Sequence, residues 1–248
     1  MDGVWIIAPL VFLAGFIDAI AGGGGLIALP AYLFAGVPIH VAMGTNKLSS
    51  SIGTFSATVT FFMHKRIMIK IALISALLAL IGSGLGSSLA LILDASVLKT
   101  VLIFVLPVMA LISLRPRKEV VVSAKDHIDW LKIGLITFFV GMYDGFIGPG
   151  TGSLLIFGFV SVLGMSYTQA SANAKVVNLA SGVAAVVTFG LSGQINVPLG
   201  LVAAAFSVAG NLSGSLLAIR FGKRVIQPLL ITVFSVLMIR LILDVLGV

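Results

Sequence analysis

Asp18-Ala-Ile-Ala-Gly-Gly-Gly-Gly-Leu26, followed by Gly44-Thr-Asn-Lys-Leu48, is the stretch that decides the fold. Four consecutive glycines interrupt an apolar run, and a lysine stands inside the next one. Each is costly in a helix surrounded by lipid. Glycine weakens a helix interior by about 1 kcal/mol relative to alanine, and a lysine at the bilayer centre costs roughly 2.5–3.5 kcal/mol on insertion scales. Both features recur in the second half as Gly148-Pro-Gly-Thr-Gly152 and Asn173-Ala-Lys175.

The surrounding composition is that of a membrane protein. Of 248 residues, 59% are hydrophobic and 9% charged, against about 25% charged in soluble domains. A net charge of +7 would point to nucleic acid in a soluble chain. Here the basic residues cluster in short loops between apolar runs, so they read as topology signals and no nucleic-acid partner is expected. The absence of cysteine excludes disulfides and thiolate chemistry. The segment Met1–Trp5 lacks a basic n-region and a cleavage site, so no removable signal peptide is expected.

Spanning a bilayer takes about 20 apolar residues. Six runs meet this: Ile39–Met63, Ile67–Leu93, Val97–Leu114, Ala170–Leu191, Val197–Ile219 and Val225–Leu246. Trp5–Ala35 and Ile133–Gly164 differ, because glycine clusters split each into a longer and a shorter piece. They are expected to be broken helical hairpins. Lys65, Arg66 and Lys70, then Arg115, Arg117, Lys118, Lys125 and Lys132, then Arg220, Lys223 and Arg224 account for eleven of the fifteen basic residues. Those three loops should be cytoplasmic, which places both termini outside.

The halves repeat. Gly36 corresponds to Gly164, Lys47 to Lys175, Gly82 to Gly210 and Gly86-Ser87 to Gly214-Ser215, all 128 residues apart (175 − 47 = 128). Asp18 corresponds to Asp144 at 126. Equivalent loops fall on opposite sides, so the expected fold is all-α and polytopic with two inverted-topology repeats. Each comprises a glycine-broken hairpin plus three transmembrane helices, at residues 1–114 and 132–248, joined by a cytoplasmic linker at 115–131. This is the layout of secondary transporters, which bind substrate near the midplane.

The candidate site follows. Gly22, Gly23, Gly24 and Gly25, with Gly150, Thr151, Gly152 and Ser153, open short half-helices whose amides would offer an anion a positive dipole end. Gly82, Gly84, Gly86, Gly210 and Gly214 are assigned to close helix packing. Lys47 lies about 12 Å into its helix at 1.5 Å per residue, deep enough to reach the midplane, Lys175 approaches by similar geometry from the other side, and Thr45, Asn46, Asn173 and Asn178 stand beside them. They are expected to contact a small anionic substrate. The alternative is structural, with Lys47 paired to Asp18 and Lys175 to Asp144 as buried ion pairs. Asp18 and Asp144 are ion-pair partners or proton relays. No histidine pair has metal-ligand spacing and no GxxxxGK[ST] motif is present, so neither metal nor cofactor is expected. Gly150-Thr-Gly-Ser153 lacks GxSxG spacing, which disfavours an intramembrane enzyme. An anion channel is the other competing class.

At these residues the chain resembles the TauE/SafE (sulfite exporter) family of membrane transporters. The resemblance rests on Gly15-Phe-Ile-Asp-Ala-Ile-Ala-Gly-Gly-Gly-Gly-Leu26, Gly44-Thr-Asn-Lys-Leu48 with Gly53-Thr54, and Tyr143-Asp-Gly-Phe-Ile-Gly-Pro-Gly-Thr-Gly152 with Ala174-Lys-Val-Val-Asn178. It implies a prokaryotic inner-membrane protein moving sulfite, sulfonates such as sulfoacetate, or related organic anions. Pro149 interrupts the second glycine cluster, and Ala174 stands where Asn46 does, so unequal contributions from the two halves are expected. The oligomeric state stays open, a homodimer being one outcome.

Overall fold

A computed structural model describes residues 4–114 and 129–221. The regular structure among them is helical throughout. It comprises α1 (Val4–Ala21), α2 (Gly25–Phe34), α3 (Ile39–Met63), α4 (Ile69–Ile92), α5 (Ala95–Leu114), α6 (Trp130–Phe146), α7 (Thr151–Leu163), α8 (Tyr167–Leu191) and α9 (Val197–Phe221). The expected span Val225–Leu246, most of the linker 115–131, and the basic residues Arg115, Arg117, Lys118, Lys125, Lys223 and Arg224 lie outside the described residues.

Among the described residues four helices, α4, α5, α8 and α9, are long and apolar enough to cross a membrane. Large apolar side chains stand exposed along their outer faces, including Leu73, Leu77, Leu80 and Leu85 on α4 and Phe104, Val108 and Leu111 on α5. In water such a surface would be an aggregation liability, whereas in a bilayer it is the lipid contact. The expectation of an ordinary apolar span at Ile39–Met63 needs correcting. The helix forms at those bounds, but Thr45, Asn46, Lys47, Ser49, Ser51 and Thr54 make it too polar to count among the apolar spans. The protein interior buries all six. At α8 the helix starts three residues earlier than expected, because Ser166 and Gln169 form a capping box that satisfies its first amides.

Both hairpins break at the glycine clusters. α1 ends at Ala21 and α2 begins at Gly25, while α6 ends at Phe146 and α7 begins at Thr151. Gly22 has a φ of +75°, and a Cβ there would fall 2.1 Å from the carbonyl carbon of Gly152. Only glycine lets the two hairpin tips touch. At 1.5 Å per residue α2 and α7 are roughly 15 and 20 Å long, too short for a 30 Å core.

Packing crosses between the halves. α4 lies on α6 and α8, α9 lies on α1 and α3, and α3 meets α8 in the middle. Small residues set the distance of approach. A Cβ on Gly82 would fall 2.2 Å from the Phe138 carbonyl oxygen, and one on Gly86 would fall 1.9 Å from that of Met142. In the other pair, Gly210 meets the Phe12 oxygen at 2.1 Å and Gly214 meets the Phe16 oxygen at 2.3 Å. This is small-residue packing of the kind that drives association in lipid. Gly84 is the exception to the expectation, because it faces open space.

The contrast predicts opposite outcomes for neighbouring substitutions. Gly86→Leu should cost about 3 kcal/mol or more, because the obstacle is backbone rather than a movable side chain. Gly84→Leu should leave thermal unfolding in detergent nearly unchanged. Equal shifts for the two variants would contradict the α4–α6 contact.

Candidate functional site: a polar cavity at the hairpin tips

The tips of the two hairpins are locked together where α1 ends. The Ser153 amide donates to the Gly22 carbonyl at 3.0 Å, and the Ser153 hydroxyl donates to the Ala21 carbonyl at 2.7 Å. The Ser113 hydroxyl of α5 donates to Ser153 Oγ at 3.0 Å. The Ser171 hydroxyl of α8 caps the Ala19 carbonyl at 3.2 Å. Carbonyls freed by the end of α1 are thus satisfied by protein rather than left in hydrocarbon.

Beside this junction lies a cavity of about 60 Å³, bounded by α1, α2, α3, α8, α9 and the second hairpin tip. One water needs about 10–15 Å³ in this measure, so the space suits a few waters or one small ion and excludes a nucleotide. Its wall includes Asp18, Gly22, Gly24, Gly25, Asn46, Lys47, Asp144, Gly150, Thr151, Gly152 and Asn178. Eleven of the sixteen residues singled out from the sequence therefore converge. Gly23, Thr45, Ser153, Asn173 and Lys175 do not line it.

Three of those five have structural work that explains their absence. Ser153 belongs to the tip lock. Thr45 Oγ1 accepts from the Asn196 amide at 2.9 Å, and Asn173 Oδ1 accepts from the Met68 amide at 3.1 Å. The two bonds are counterparts, since 173 − 45 and 196 − 68 are both 128. Each hands an acceptor to a backbone donor at the start of a helix from the other half, α9 or α4, where the first-turn amides lack intrahelical partners. In this structure Thr45 and Asn173 cap those helix starts and lie outside the cavity wall.

The ion pairs also need correcting. Lys47 Nζ lies 2.8 Å from Asp144 Oδ2, and Lys175 is bonded to Asp18. The structural alternative of pairs within each half gives way to crossed pairs between halves. The cause is the tip contact, which carries each hairpin over to the lysine helix of the opposite half. Gly148, in the second tip, makes room for Lys47. A Cβ there would fall 3.0 Å from Lys47 Nζ. Asp144 also accepts from the Ser181 hydroxyl at 2.6 Å, while Asp18 accepts from the Gly24 amide at 3.3 Å. The pairs are not equivalent. Lys175 is fully buried and away from the cavity, whereas Lys47 and Asp144 both line it.

Sequence reasoning missed part of the wall: Ser49, Ser50, Ser51 and Thr54 on α3, and Ser207 and Asn211 on α9. A signal was present. Lys47, Ser50, Ser51 and Thr54 fall at i, i+3, i+4 and i+7, one helical stripe, and Asn211 is a buried amide inside an otherwise apolar span. Asn46, Asn178 and Asn211 each keep a side-chain oxygen without a hydrogen-bond partner. All three residues line the cavity, so it has unspent hydrogen-bonding capacity. Among the described residues no three His, Asp or Glu side chains gather to ligate a metal.

Lipid-facing helices around two broken hairpins, with buried charges at a small polar cavity, define a multi-pass membrane protein of the transport class. The sequence profile of the family described as "Sulfite exporter TauE/SafE" matches residues 7–241, and this chain belongs to that family. It is 36% identical to a probable membrane transporter protein of Haemophilus influenzae, over 98% of this chain and 96% of the relative. A Sinorhizobium protein of the same description, ORF9, is 38% identical over 94% and 90% of the two chains. YfcA of Escherichia coli K12, likewise described, is 31% identical over 98% and 94%. No solved structure matches the chain.

Crossed pairing makes a specific stability prediction. Lys47→Ala should destabilise the protein by about 3–5 kcal/mol, the cost of leaving a buried charge without its partner. Adding Asp144→Ala should recover most of that loss, whereas adding Asp18→Ala should deepen it. Thermal unfolding of the single and double variants distinguishes this from pairing within halves, which requires the opposite rescue.

Proposed function

We propose that this protein is a secondary transporter for a small sulfur-containing anion, such as sulfite or a sulfonate like sulfoacetate, working by alternating access. The observation that carries the reading is Lys47. It is a cation in the wall of a cavity at the meeting point of two half-helix starts, with Asn46 and Asn178 beside it. A side-chain amide can turn either its oxygen or its NH₂ toward a ligand, and the starts of α2 and α7 add the positive ends of helix dipoles. Cavity size fits one oxyanion group. Membership of a family described as sulfite exporters supports the sulfur chemistry.

In this reading the halves are inverted repeats that rock against each other, and the crossed packing of α4 and α9 is what couples them. The basic loops face the cytoplasm and both termini face outward, across a prokaryotic inner membrane. Export is the direction in which the membrane potential acts on a bare anion, by about 2.3 kcal/mol per charge per 100 mV. Binding contacts come from Lys47, Asn46, Asn178, Thr151 and the glycines of both tips. Lys175 acts at one remove, by holding Asp18.

The test uses a variant whose fold is kept neutral. Wild-type protein should be stabilised in thermal-shift assays by sulfite or sulfoacetate, by about 2.7 kcal/mol at a hundredfold excess over Kd. In proteoliposomes it should take up the same anion saturably. Lys47→Met combined with Asp144→Asn should stay folded and lose both responses. Undiminished uptake by that variant removes Lys47 from the site.

A further inference from the structure

Neither buried lysine has charge to spare. Lys47 is held by Asp144 and Lys175 by Asp18, so the polar centre contains two cations and two carboxylates. These four charges sum to zero. An anion entering it would add an uncompensated negative charge beside two carboxylates, in surroundings where unpaired charge costs several kcal/mol. Something positive has to enter with it.

We propose that Asp144 yields Lys47 to the incoming anion and takes up a proton, so that one proton travels with each monoanion. The proposal rests on the anion-transport reading above and names its co-substrate. Position singles out this pair. Lys47, Asp144 and Asp18 line the cavity, but Lys175 is wholly enclosed and bonded to Asp18, so Lys47 is the lysine that an anion in the cavity can meet. An anion in the cavity therefore competes with Asp144 for Lys47 and leaves the other pair intact.

Charges balance on this route. A Lys47 ammonium paired with an Asp144 carboxylate, plus an anion and a proton, becomes the same ammonium paired with the anion, plus a neutral carboxylic acid. The site is neutral before and after. The new O–H bond forms on Asp144 with a proton from the aqueous side that delivers the anion. Ser181 Oγ, 2.6 Å from Asp144 Oδ2, remains in place to bond the acid as it bonds the carboxylate. Asn46 Oδ1 and Asn178 Oδ1, both without partners, give the cavity wall acceptors for a new O–H.

The ionisable groups around Asp144 are few. Lys47 faces it from α3, Lys175 from α8 and Asp18 from α1. Its neighbour on α6, Tyr143, spends its hydroxyl on the Pro149 carbonyl. From α4, Ser83 donates to the Ser181 carbonyl at 2.6 Å. α7 carries no ionisable side chain, and Lys70 of α4 sits far off, over the ring of Trp130. With a proton carried, the electrical bias toward efflux disappears. Direction then follows the combined gradients of anion and proton, so an alkaline interior favours entry unless the anion is concentrated inside.

Full-length protein in proteoliposomes, with the membrane potential clamped at zero and a pH-sensitive dye enclosed, tests this with labelled isethionate. That sulfonate stays ionised throughout the working range, so any proton movement belongs to the transporter. An inward isethionate gradient should acidify the lumen in step with uptake. An acid exterior alone should concentrate isethionate about tenfold per pH unit. Asp144→Asn should lose both the pH-driven accumulation of isethionate and the luminal acidification. Saturable wild-type uptake that carries current and leaves the luminal pH unchanged overturns the proposal and leaves anion transport standing. Failure of the wild type to move isethionate, sulfoacetate or sulfite overturns both. The wild-type proton measurement decides the matter even if the variant does not fold.

Discussion

A lysine ammonium inside an apolar bundle must have a counter-charge, and here each lysine finds it on the opposite half of the chain. That requirement organises the centre. Lys47 needs Asp144 within reach, so the second hairpin tip has to lie against α3. Lys175 needs Asp18, so the first tip has to lie against α8. Both conditions are met only if the tips overlap, which the Gly22–Gly152 contact permits and any side chain at Gly22 would prevent. The tetraglycine run is thus tied to the ion pairs: its lack of side chains lets the two crossings coexist.

The same crossing recurs away from the charges. α4 supports the hairpin helix α6, and α9 supports α1, each through glycines that let one helix backbone meet the other's carbonyls. Thr45 and Asn173 extend it to the helix ends, each capping the start of a helix from the other half. Association in lipid gains nothing from burying apolar surface, since the tails are as apolar as leucine. Close van der Waals approach and hydrogen bonds between halves have to hold this structure together. Loss of one half would leave the other with bare glycine faces, uncapped helix starts and two unpaired charges.

How much of this was legible follows from the range of each signal. Helix positions were, because apolar run length and glycine clusters are local; α3 formed at the expected residues and both hairpins broke where glycines accumulate. The polarity of α3 was visible too, but treating it as one more span underrated Ser49, Ser51 and Thr54 as a buried face. The ion pairs were legible as a set of four residues and not as partners. A repeat of 126 to 128 residues fits pairing within halves as well as pairing between them. Only the tip contact chooses, and it depends on Ser153 reaching Ala21 and Gly22 across 131 or 132 residues of chain. Thr45 and Asn173 stand beside buried lysines, so the sequence groups them with the site, whereas in the structure each bonds a helix-start amide of the other half.

The departures between halves fit a cavity that takes both members of one pair but only the aspartate of the other. Asn46 stands beside Lys47, and its counterpart Ala174 stands beside Lys175. Ser181 holds Asp144, and the position corresponding to it in the first half is Gly53, which offers Asp18 no hydroxyl. Asn211 on α9 keeps an unspent oxygen at the cavity, where its counterpart Ser83 on α4 is committed to the Ser181 carbonyl. Asp144 is thus bonded to a lysine that shares the cavity wall with it, and Asp18 to a lysine enclosed away from the cavity. A repeat that began symmetric would give two equal sites. These differences leave Lys175 enclosed and put Lys47 and Asp144 together at the cavity wall.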